Sequence, residues 1–350
     1  MPTPSQRNRS QFSNFGIAQY LARALNELGY TVDIIHYENV SFVPDRTYDL
    51  FIGHGGNNFE TIAQHLGRDI PKIYFATGIH WKIWKEHLIA RQQECCQRRG
   101  STVPITRMIE IPEDQAYELA DGIICLGNRK AAASFCGYPL VIPINNSFFP
   151  DSFDISGKDF TAGRNRFLFF NGDGNILKGL DLLLEAFTGL DAHLYVRQTL
   201  EYEFEREYWK ELHHLHNVHI IPYVPKPSPE FTRLMGYCNS VISTTCAEGQ
   251  PGSIIECMSH GMIPILSREA NIDTGEFGIT INPCTIEEIH RTVNWVSQQP
   301  EEWHRTMSER VLDTVSRDYN EQQFLESMKD AITIIIEKTH GCTSLDEDFN

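Results

Sequence analysis

Two glutamates flank a glycine-rich turn in the second half of the chain. Glu248 precedes the turn, and Glu256 lies in a helix that the sequence predicts from Ser253 to His260. The apolar run 240–243 before the turn predicts a buried strand. A strand, a glycine turn and a helix N-terminus leave unpaired N–H groups that favour phosphate binding. The two carboxylates could then accept hydroxyl groups, one from a sugar and the other from a ribose.

The same residues also allow a purely structural interpretation. Ser253 and Glu256 have the spacing of a capping box, in which the glutamate returns to the N-cap amide and binds nothing else. Glu248 would then be a solvated loop acid. The spacing alone leaves both interpretations open, so the elements around the turn must decide between them.

Length, composition and charge limit the classes of function. A chain of 350 residues with 41% hydrophobic residues is long enough for two globular domains. No apolar run reaches the length of a spanning helix and the first residues do not resemble a signal peptide, so a cytoplasmic protein is expected. Residues 161–350 contain 29 acidic and 15 basic side chains, which argues against nucleic acid as a partner. Nine scattered cysteines predict buried thiols in a reducing compartment and no metal site.

Strands and helices alternate along most of the chain. The pattern predicts a first helix from residue 17, a strand at 31–37 and further strands at 48–53, 72–76, 122–126 and 140–142. A segment without periodicity, 148–165, then separates a second alternation that begins at 166. The chain is therefore expected to be α/β, with parallel sheets covered by helices on both faces. The predicted units are an N-terminal domain (1–160), a C-terminal domain (161–320), a helix at 321–338 and an acidic tail (339–350).

Two histidines follow predicted strands of the N-terminal domain. His54 and His80 come after the strands 48–53 and 72–76. Ligands of open parallel sheets bind beyond the carboxyl ends of the strands, so both histidines are candidates for a binding cleft. A histidine without such placement is more often an ordinary surface or core residue.

Four motifs in the same order resemble the family 4 glycosyltransferases. They are Val-Ile-Pro-Ile-Asn-Asn (141–146), Phe-Phe-Asn-Gly followed by Lys-Gly-Leu-Asp (169–181), the E-x7-E pair, and Met-Ser-His-Gly-Met-Ile-Pro (258–264). The resemblance covers about residues 17–335. It implies the GT-B fold, in which two Rossmann-like, doubly wound domains face each other across a cleft and the last helix, 321–338, packs back on the first domain.

The resemblance also implies a role for each matching residue. Lys178 would meet the diphosphate of a nucleotide sugar, Glu256 the ribose, and Glu248 the transferred sugar, with His80 facing that sugar from the first domain. The site implied comprises the catalytic residues Glu248, His80 and Lys178 and the donor-binding residues Gly172, Arg197, Gly249, Gln250, Pro251, Gly252, Ser253, Ile254 and Glu256. Members of the family retain anomeric configuration and need no metal, so no cofactor is expected besides the nucleotide sugar itself.

The chain departs from the family pattern in two places. Asp173 stands where the family usually has arginine, and we hypothesise that Arg197 supplies the missing cation. The residues before the first helix, 1–15, show neither the opening strand nor the glycine loop of the family. The sheet is then expected to lack an edge strand, or the chain to be a shortened version of a longer protein.

The predicted helix 81–99 mixes tryptophans with basic residues. Such helices touch the bilayer in relatives that act on lipids, so one interpretation is peripheral contact with the inner face of a membrane. The other is an ordinary helix with a packed aromatic face.

The leading functional prediction is a retaining glycosyltransferase that uses a nucleotide-diphosphate sugar and an unidentified acceptor, which could be a glycan, a lipid or a small molecule. One alternative is a donor-binding or scaffold protein that has lost transfer, because of Asp173 and the short N-terminus. Another is a sugar phosphorylase of the same fold.

Overall fold

The alternating apolar segments fold into two parallel β-sheets. The computed structural model describes residues 14–36, 39–54, 58–138, 140–147, 155–226 and 228–341. Most of the segment predicted to lack an opening strand (1–13) and most of the acidic tail (342–350) lie outside the described residues.

The first sheet has four parallel strands in the order β1-β2-β3-β4. Its strands are β1 (Phe51–Gly53), β2 (Lys72–Ala76), β3 (Gly122–Leu126) and β4 (Val141–Ile144). Its helices are α1 (Asn14–Glu27), α2 (Phe59–His65), α3 (Trp81–Arg99), α4 (Asp114–Leu119) and α5 (Arg129–Ala133).

Helices cover both faces of this sheet, as the α/β pattern predicts. Successive residues of the central strand β3 point to opposite faces of the sheet. Ile124 packs with α1 on one face, and Ile123 packs with α2 and α4 on the other. The last helix, α15 (Glu321–Gly341), also lies on the Ile124 face. Its Ile335 is fully buried over Gly122, where even a Cβ atom would come within 2.8 Å of the isoleucine side chain.

The strand predicted at 31–37 is wrong over its described part. Residues 31–36 form no strand in the structure, and Ile34 is 63% exposed. Alternating apolar residues form a strand only where a neighbour pairs with their backbone, and in the described residues the first sheet ends at β1.

The second sheet has six parallel strands in the order β10-β9-β8-β5-β6-β7. The strands are β5 (Arg166–Phe170), β6 (His193–Arg197), β7 (Val218–Ile220), β8 (Ser240–Ser243), β9 (Ile263–Ser267) and β10 (Ile279–Ile281). The helices are α6 (Phe160–Gly163), α7 (Asn175–Lys178), α8 (Leu180–Ala186), α9 (Tyr202–Glu207), α10 (Trp209–His214), α11 (Pro229–Tyr237), α12 (Gly252–Ser259), α13 (Ile286–Ser297) and α14 (Glu301–Asp318).

The strand order of the second sheet reverses between β5 and β8. The chain adds β6 and β7 on one side of β5, and then returns to add β8, β9 and β10 on the other. This is the doubly wound order, and ligands of such sheets bind in the crevice beyond the carboxyl ends of the two strands at the reversal. The loops that follow β5 and β8 are therefore the first place to look for a site.

The packing of α15 gives a test of the first domain. We expect Ile335→Ala to lower the free energy of unfolding by about 2–5 kcal/mol, because the side chain is fully buried over β3. Ile334 on the same helix is 40% exposed, so Ile334→Ala should cost about 0.5 kcal/mol or less. Urea unfolding followed by circular dichroism measures both. Equal costs for the two variants would contradict the docking of α15.

Candidate functional site

The loops after β5 and β8 meet at the strand reversal and bring two predicted residues together. Lys178 is buried at the end of α7, and its ammonium contacts the carboxylate of Glu248 from the loop after β8. Gly179 makes the approach possible, because a Cβ there would lie 2.3 Å from the carbonyl oxygen of Thr244. Gly179 also has φ of +78°, a conformation that favours glycine.

The charge of Lys178 depends on its partners. Burial lowers the pKa of the Lys178 ammonium to about 7, and the nearby positive charge of Arg107 acts in the same direction. The contact with Glu248 favours the charged form. An anionic ligand would favour it as well, so this lysine is suited to holding a phosphate group.

Glu256 belongs to a second pair of opposite charges in the same crevice. Its carboxylate is 2% exposed and contacts the ammonium of Lys226, from the loop after β7. Burial raises the pKa of Glu256, and the positive charges of Lys226 and Arg197 oppose that shift. The capping-box interpretation is wrong, because Pro251 is the N-cap of α12 and Ser253 lies inside the helix.

Arg197 lies at the end of β6, on the Glu256 side of the crevice. Its guanidinium carbon is 5.5 Å from the ring centre of Phe170 and 4.9 Å from that of Tyr223. Its Nε is buried and makes no hydrogen bond within the described part of the chain. Asn171, which follows the neighbouring strand β5, is buried too. Neither the oxygen nor the nitrogen of its side-chain amide has a hydrogen-bond partner among the described residues. Unpaired buried polar groups are costly, which favours a ligand here.

The start of α12 faces the same crevice. Ile254 and Ile255 donate the first helical hydrogen bonds, both to the carbonyl of Pro251. The amides of Gly252 and Ser253 precede them, and Gly252 is exposed. Ile254 itself is a core residue with no exposed surface, so only its backbone could serve a ligand. Gly172, in the turn after β5, is also exposed.

The backbone of Gly249 lies close to two strand ends of the first domain. A Cβ at this position would lie 2.5 Å from the carbonyl oxygen of Thr77 and 2.7 Å from that of Leu126. Those two residues lie at the ends of β2 and β3. The carboxyl ends of both sheets therefore point into one cleft.

Gln250 crosses the same boundary. Its Nε2 donates to Asn145 Oδ1 (2.9 Å) and to the carbonyl of Asn271 (3.1 Å), and its Oε1 accepts from the amide of Asn146 (2.8 Å). Asn271 Nδ2 in turn donates to the carbonyl of Glu248 (2.6 Å). The side chain predicted to bind donor thus joins the domains and supports the loop that holds Glu248.

The two histidines lie in the first domain. His80 is the N-cap of α3, and its Nδ1 accepts from the amide of Lys82 (3.2 Å). Its ring packs against Tyr117, and burial lowers its pKa. The contacts recorded for His80 in the described ranges all stay within its own domain. His54 is exposed beyond β1, where its Nδ1 hydrogen-bonds to the carbonyl of Phe75 (3.0 Å).

Helix α3 uses most of its basic and aromatic residues against the second domain. Arg91 donates to the carbonyl of Thr244 (3.0 Å), and Arg98 pairs with the fully buried Asp181 (2.6 Å). Other members of this contact include Trp84 and Leu88 in the second-domain core, and Arg99 with Glu207 and Glu211. Trp81 and Lys82, by contrast, contact Asp114 of the first domain, and the Lys82 side chain is 54% exposed. Peripheral contact with a membrane therefore stays a prediction. No helix in the described ranges is long and apolar enough to cross a bilayer.

Two cations near the crevice were not predicted from the sequence. Lys226 follows β7 in a proline-flanked loop, and the rule that ligands bind beyond strand ends could have indicated it. Arg107 comes from the irregular segment between α3 and α4, and no local pattern marks it. Within the described residues, no group of three or more His, Cys, Asp or Glu side chains is arranged to hold a metal ion.

Comparison with known proteins identifies the fold. No protein-family model matches the chain, and no curated protein matches it by sequence. Solved structures do match. TarM has a TM-score of 0.56 at 14% identity, over 81% of this chain and 54% of TarM. WaaG, a glycosyltransferase involved in lipopolysaccharide biosynthesis, has a TM-score of 0.51 at 14% identity, over 75% of this chain and 74% of WaaG. A UDP-forming trehalose-phosphate synthase from Burkholderia xenovorans has a TM-score of 0.58 at 12% identity, over 92% of this chain and 78% of the synthase.

These similar structures are GT-B glycosyltransferases, so the predicted fold class is confirmed. The protein is a two-domain GT-B protein built from two Rossmann-like domains. It spans about half the length of TarM. One structure of TarM from S. aureus contains UDP together with fondaparinux and alpha-GlcNAc-glycerol.

The approach at Gly249 gives a test of the cleft. We expect Gly249→Ala to lower the free energy of unfolding by about 1–3 kcal/mol and to increase the radius of gyration, because the new methyl group must push apart the loop and the ends of β2 and β3. Gly157→Ala is the matched control, since a Cβ there has no neighbour within 4 Å. Urea unfolding and small-angle X-ray scattering measure the two effects. Identical behaviour of the two variants would refute the close approach.

Proposed function

We propose that the protein is a glycosyltransferase that moves a sugar from a nucleotide-diphosphate sugar to an acceptor, with retention of anomeric configuration. The observation that carries the proposal is the pair of contacts Lys178–Glu248 and Lys226–Glu256 at the strand reversal of a GT-B fold. A nucleotide sugar combines an anionic diphosphate with two sets of neutral hydroxyl groups. Two cations and two carboxylates in one crevice match that combination.

Glu256 is proposed to hold the ribose of the donor. Its buried carboxylate could accept hydrogen bonds from both ribose hydroxyls while Lys226 and Arg197 balance its charge. The exposed ring of Tyr223 beside Arg197 offers a flat surface on this side of the crevice. The nucleoside would therefore lie toward β6 and β7.

Lys178 is proposed to bind the diphosphate, together with the backbone amides of Gly252 and Ser253. When phosphate oxygens approach the lysine, Glu248 is released from its present contact and can accept hydroxyl groups of the transferred sugar. The amides of Gly249 and Gly252 lie on the loop between the sugar and the phosphates. After the exchange Lys178 is paired with phosphate and the carboxylate of Glu248 is hydrogen-bonded, so neither charged group is left without a partner.

The reaction proposed is a front-face displacement. The bond between C1 of the sugar and the oxygen of the outer phosphate breaks, and an acceptor oxygen forms the new bond to C1 from the same side. The acceptor proton moves to a phosphate oxygen of the leaving nucleoside diphosphate. Fixed cations and N–H dipoles stabilise the negative charge on that leaving group, and removing one such donor typically costs about 3–4 kcal/mol of barrier.

His80 is proposed to face the sugar from the first domain. Because Nδ1 accepts from the amide of Lys82 and burial lowers the pKa, the neutral ring carries its proton on Nε2. That Nε2–H could donate to a sugar hydroxyl when the domains close. The acceptor would enter on the same side.

Uridine is the first base to test. A structure of TarM contains UDP, and the trehalose-phosphate synthase of the same fold is UDP-forming. Base and sugar are read by loop residues that vary between proteins of one fold, so the other common bases belong in the same experiment.

Donor binding gives the first test of the proposed function. We expect one of UDP, GDP, ADP and dTDP to bind with micromolar affinity, about −8 kcal/mol, in isothermal titration calorimetry. Glu256→Gln should weaken the binding of that nucleotide by about tenfold or more, because an amide replaces the carboxylate that accepts hydrogen bonds from the ribose hydroxyls. Glu230→Gln, an exposed change on α11, should leave the affinity unchanged. Failure of the wild type to bind any of the four would refute the proposal.

Turnover gives the second test of the proposed function. Release of free nucleoside diphosphate from the matching nucleotide sugar should fall by about 100-fold or more in Glu248→Gln, while nucleoside diphosphate binding changes little. The physical reason is that Glu248 is assigned to the transferred sugar and not to the nucleotide. A coupled assay for the released nucleotide measures this. A wild type that binds nucleotide sugar but never cleaves it would favour the scaffold alternative instead.

A further inference from the structure

An arginine of the first domain lies against the glycine turn of the second. Arg107 belongs to the segment between α3 and α4, and its Nη1 donates to the carbonyl of Asp173 at 3.4 Å. Within the described residues this is its one hydrogen bond, and the guanidinium makes no ion pair there. The side chain is exposed, so its other N–H groups are accessible beside the turn.

The position of Arg107 is built by its neighbours. The carboxylate of Glu201 accepts from the hydroxyl of Thr106 and also from the amide of Gly174 (3.0 Å). One carboxylate thus ties the segment that carries the arginine to the turn after β5. On the same segment, Ile105, Met108 and Ile109 pack against the core that contains the second-domain strands.

The electrostatics of the turn leave room for an anion. Arg107 is close enough to Lys178 to lower the pKa of that buried ammonium, so two cations face the same small region. Glu248 compensates one of them. Asp173 contributes a carboxylate that is exposed to solvent, and its negative charge raises the pKa of Lys178 against the effect of Arg107. Its hydrogen bond with Arg107 is made by the carbonyl. Positive groups held near each other at a strand end are stabilised by a ligand of opposite charge.

We infer that Arg107 binds a phosphate oxygen of the nucleoside diphosphate, opposite Lys178, so that the first domain completes the donor site of the second. This inference rests on the proposed function. A guanidinium presents a planar fork of N–H groups that suits phosphate better than an ammonium does. In this chain the arginine reaches the turn from across the cleft, in place of an arginine at position 173 itself.

The consequence concerns the contact between the domains. The cation that stabilises the leaving diphosphate is supplied by a segment of the first domain, and Ile105, Met108 and Ile109 of that segment pack on the second domain. A donor bound to an isolated second domain would lack that charge.

The test separates phosphate binding from nucleoside binding. Of UDP, GDP, ADP and dTDP, the test uses the one that binds the wild type. We expect Arg107→Ala to weaken the binding of that nucleotide by about 10- to 100-fold, as for the loss of a charge-assisted hydrogen bond. The matched nucleoside should bind wild type and variant equally in saturation-transfer NMR. Arg107→Lys should lie between the two, because it keeps the charge and loses the fork. Arg291→Ala, whose side chain is 76% exposed on α13 and pairs with Glu288, is the control and should change neither affinity.

Each other outcome overturns the inference in a recognisable way. Equal diphosphate affinity in Arg107→Ala and the wild type refutes the role of Arg107 and leaves the glycosyltransferase proposal standing. Equal weakening of diphosphate and nucleoside also refutes it, because the arginine would then act on the fold. Absence of nucleotide binding in the wild type refutes the proposed function, and the inference fails with it.

Discussion

The close approach of the Gly249 backbone to the carbonyls of Thr77 and Leu126 is the contact on which the cleft depends. It sets the distance between the carboxyl ends of the two sheets, and no residue with a side chain fits there. The neighbouring Gln250 then uses its whole amide to join the domains and, through Asn271, to support the loop at Glu248. A single turn thus forms both a contact between the domains and one wall of the candidate site.

The net charge of the molecule does not show where its positive and negative groups lie. The chain carries a formal net charge of −16, yet the crevice at the strand reversal gathers Lys178, Lys226, Arg197 and Arg107 around two glutamates. Burying a charge is tolerable only when it is paired. In the proposed function the Lys178–Glu248 pair exchanges partners when a diphosphate binds, while Lys226 continues to balance the charge of Glu256.

The charge asymmetry between the two halves of the chain has a structural explanation in α3. The arginines of that helix point at the acidic second half, where Arg98 meets Asp181, which has no exposed surface. Apolar residues of α3, such as Trp84 and Leu88, continue the same contact into the core of the second domain. In the sequence alone, a basic, aromatic helix resembles a membrane-binding element, because its composition does not show which surface packs against it.

Local patterns in the sequence determined most of the elements, and the four motifs of the resemblance pointed to the candidate site residues. The apolar period and the glycines predicted the helix that contains Glu256 and the strands β5 and β8, since each depends on residues close in the chain. The sequence also favoured a strand at 31–37, which fails because pairing needs a neighbour from elsewhere in the chain.

Tertiary structure alone decided which groups meet across the cleft. Arg107, Lys226 and the amide of Gln250 reach their partners from segments about 30 to 100 residues away, and no local period encodes such distances. The same holds for the choice between a capping box and an ion pair at Glu256, since both have the same local sequence. Which one forms depends on whether a cation arrives from another strand end, and that is a property of the packed fold.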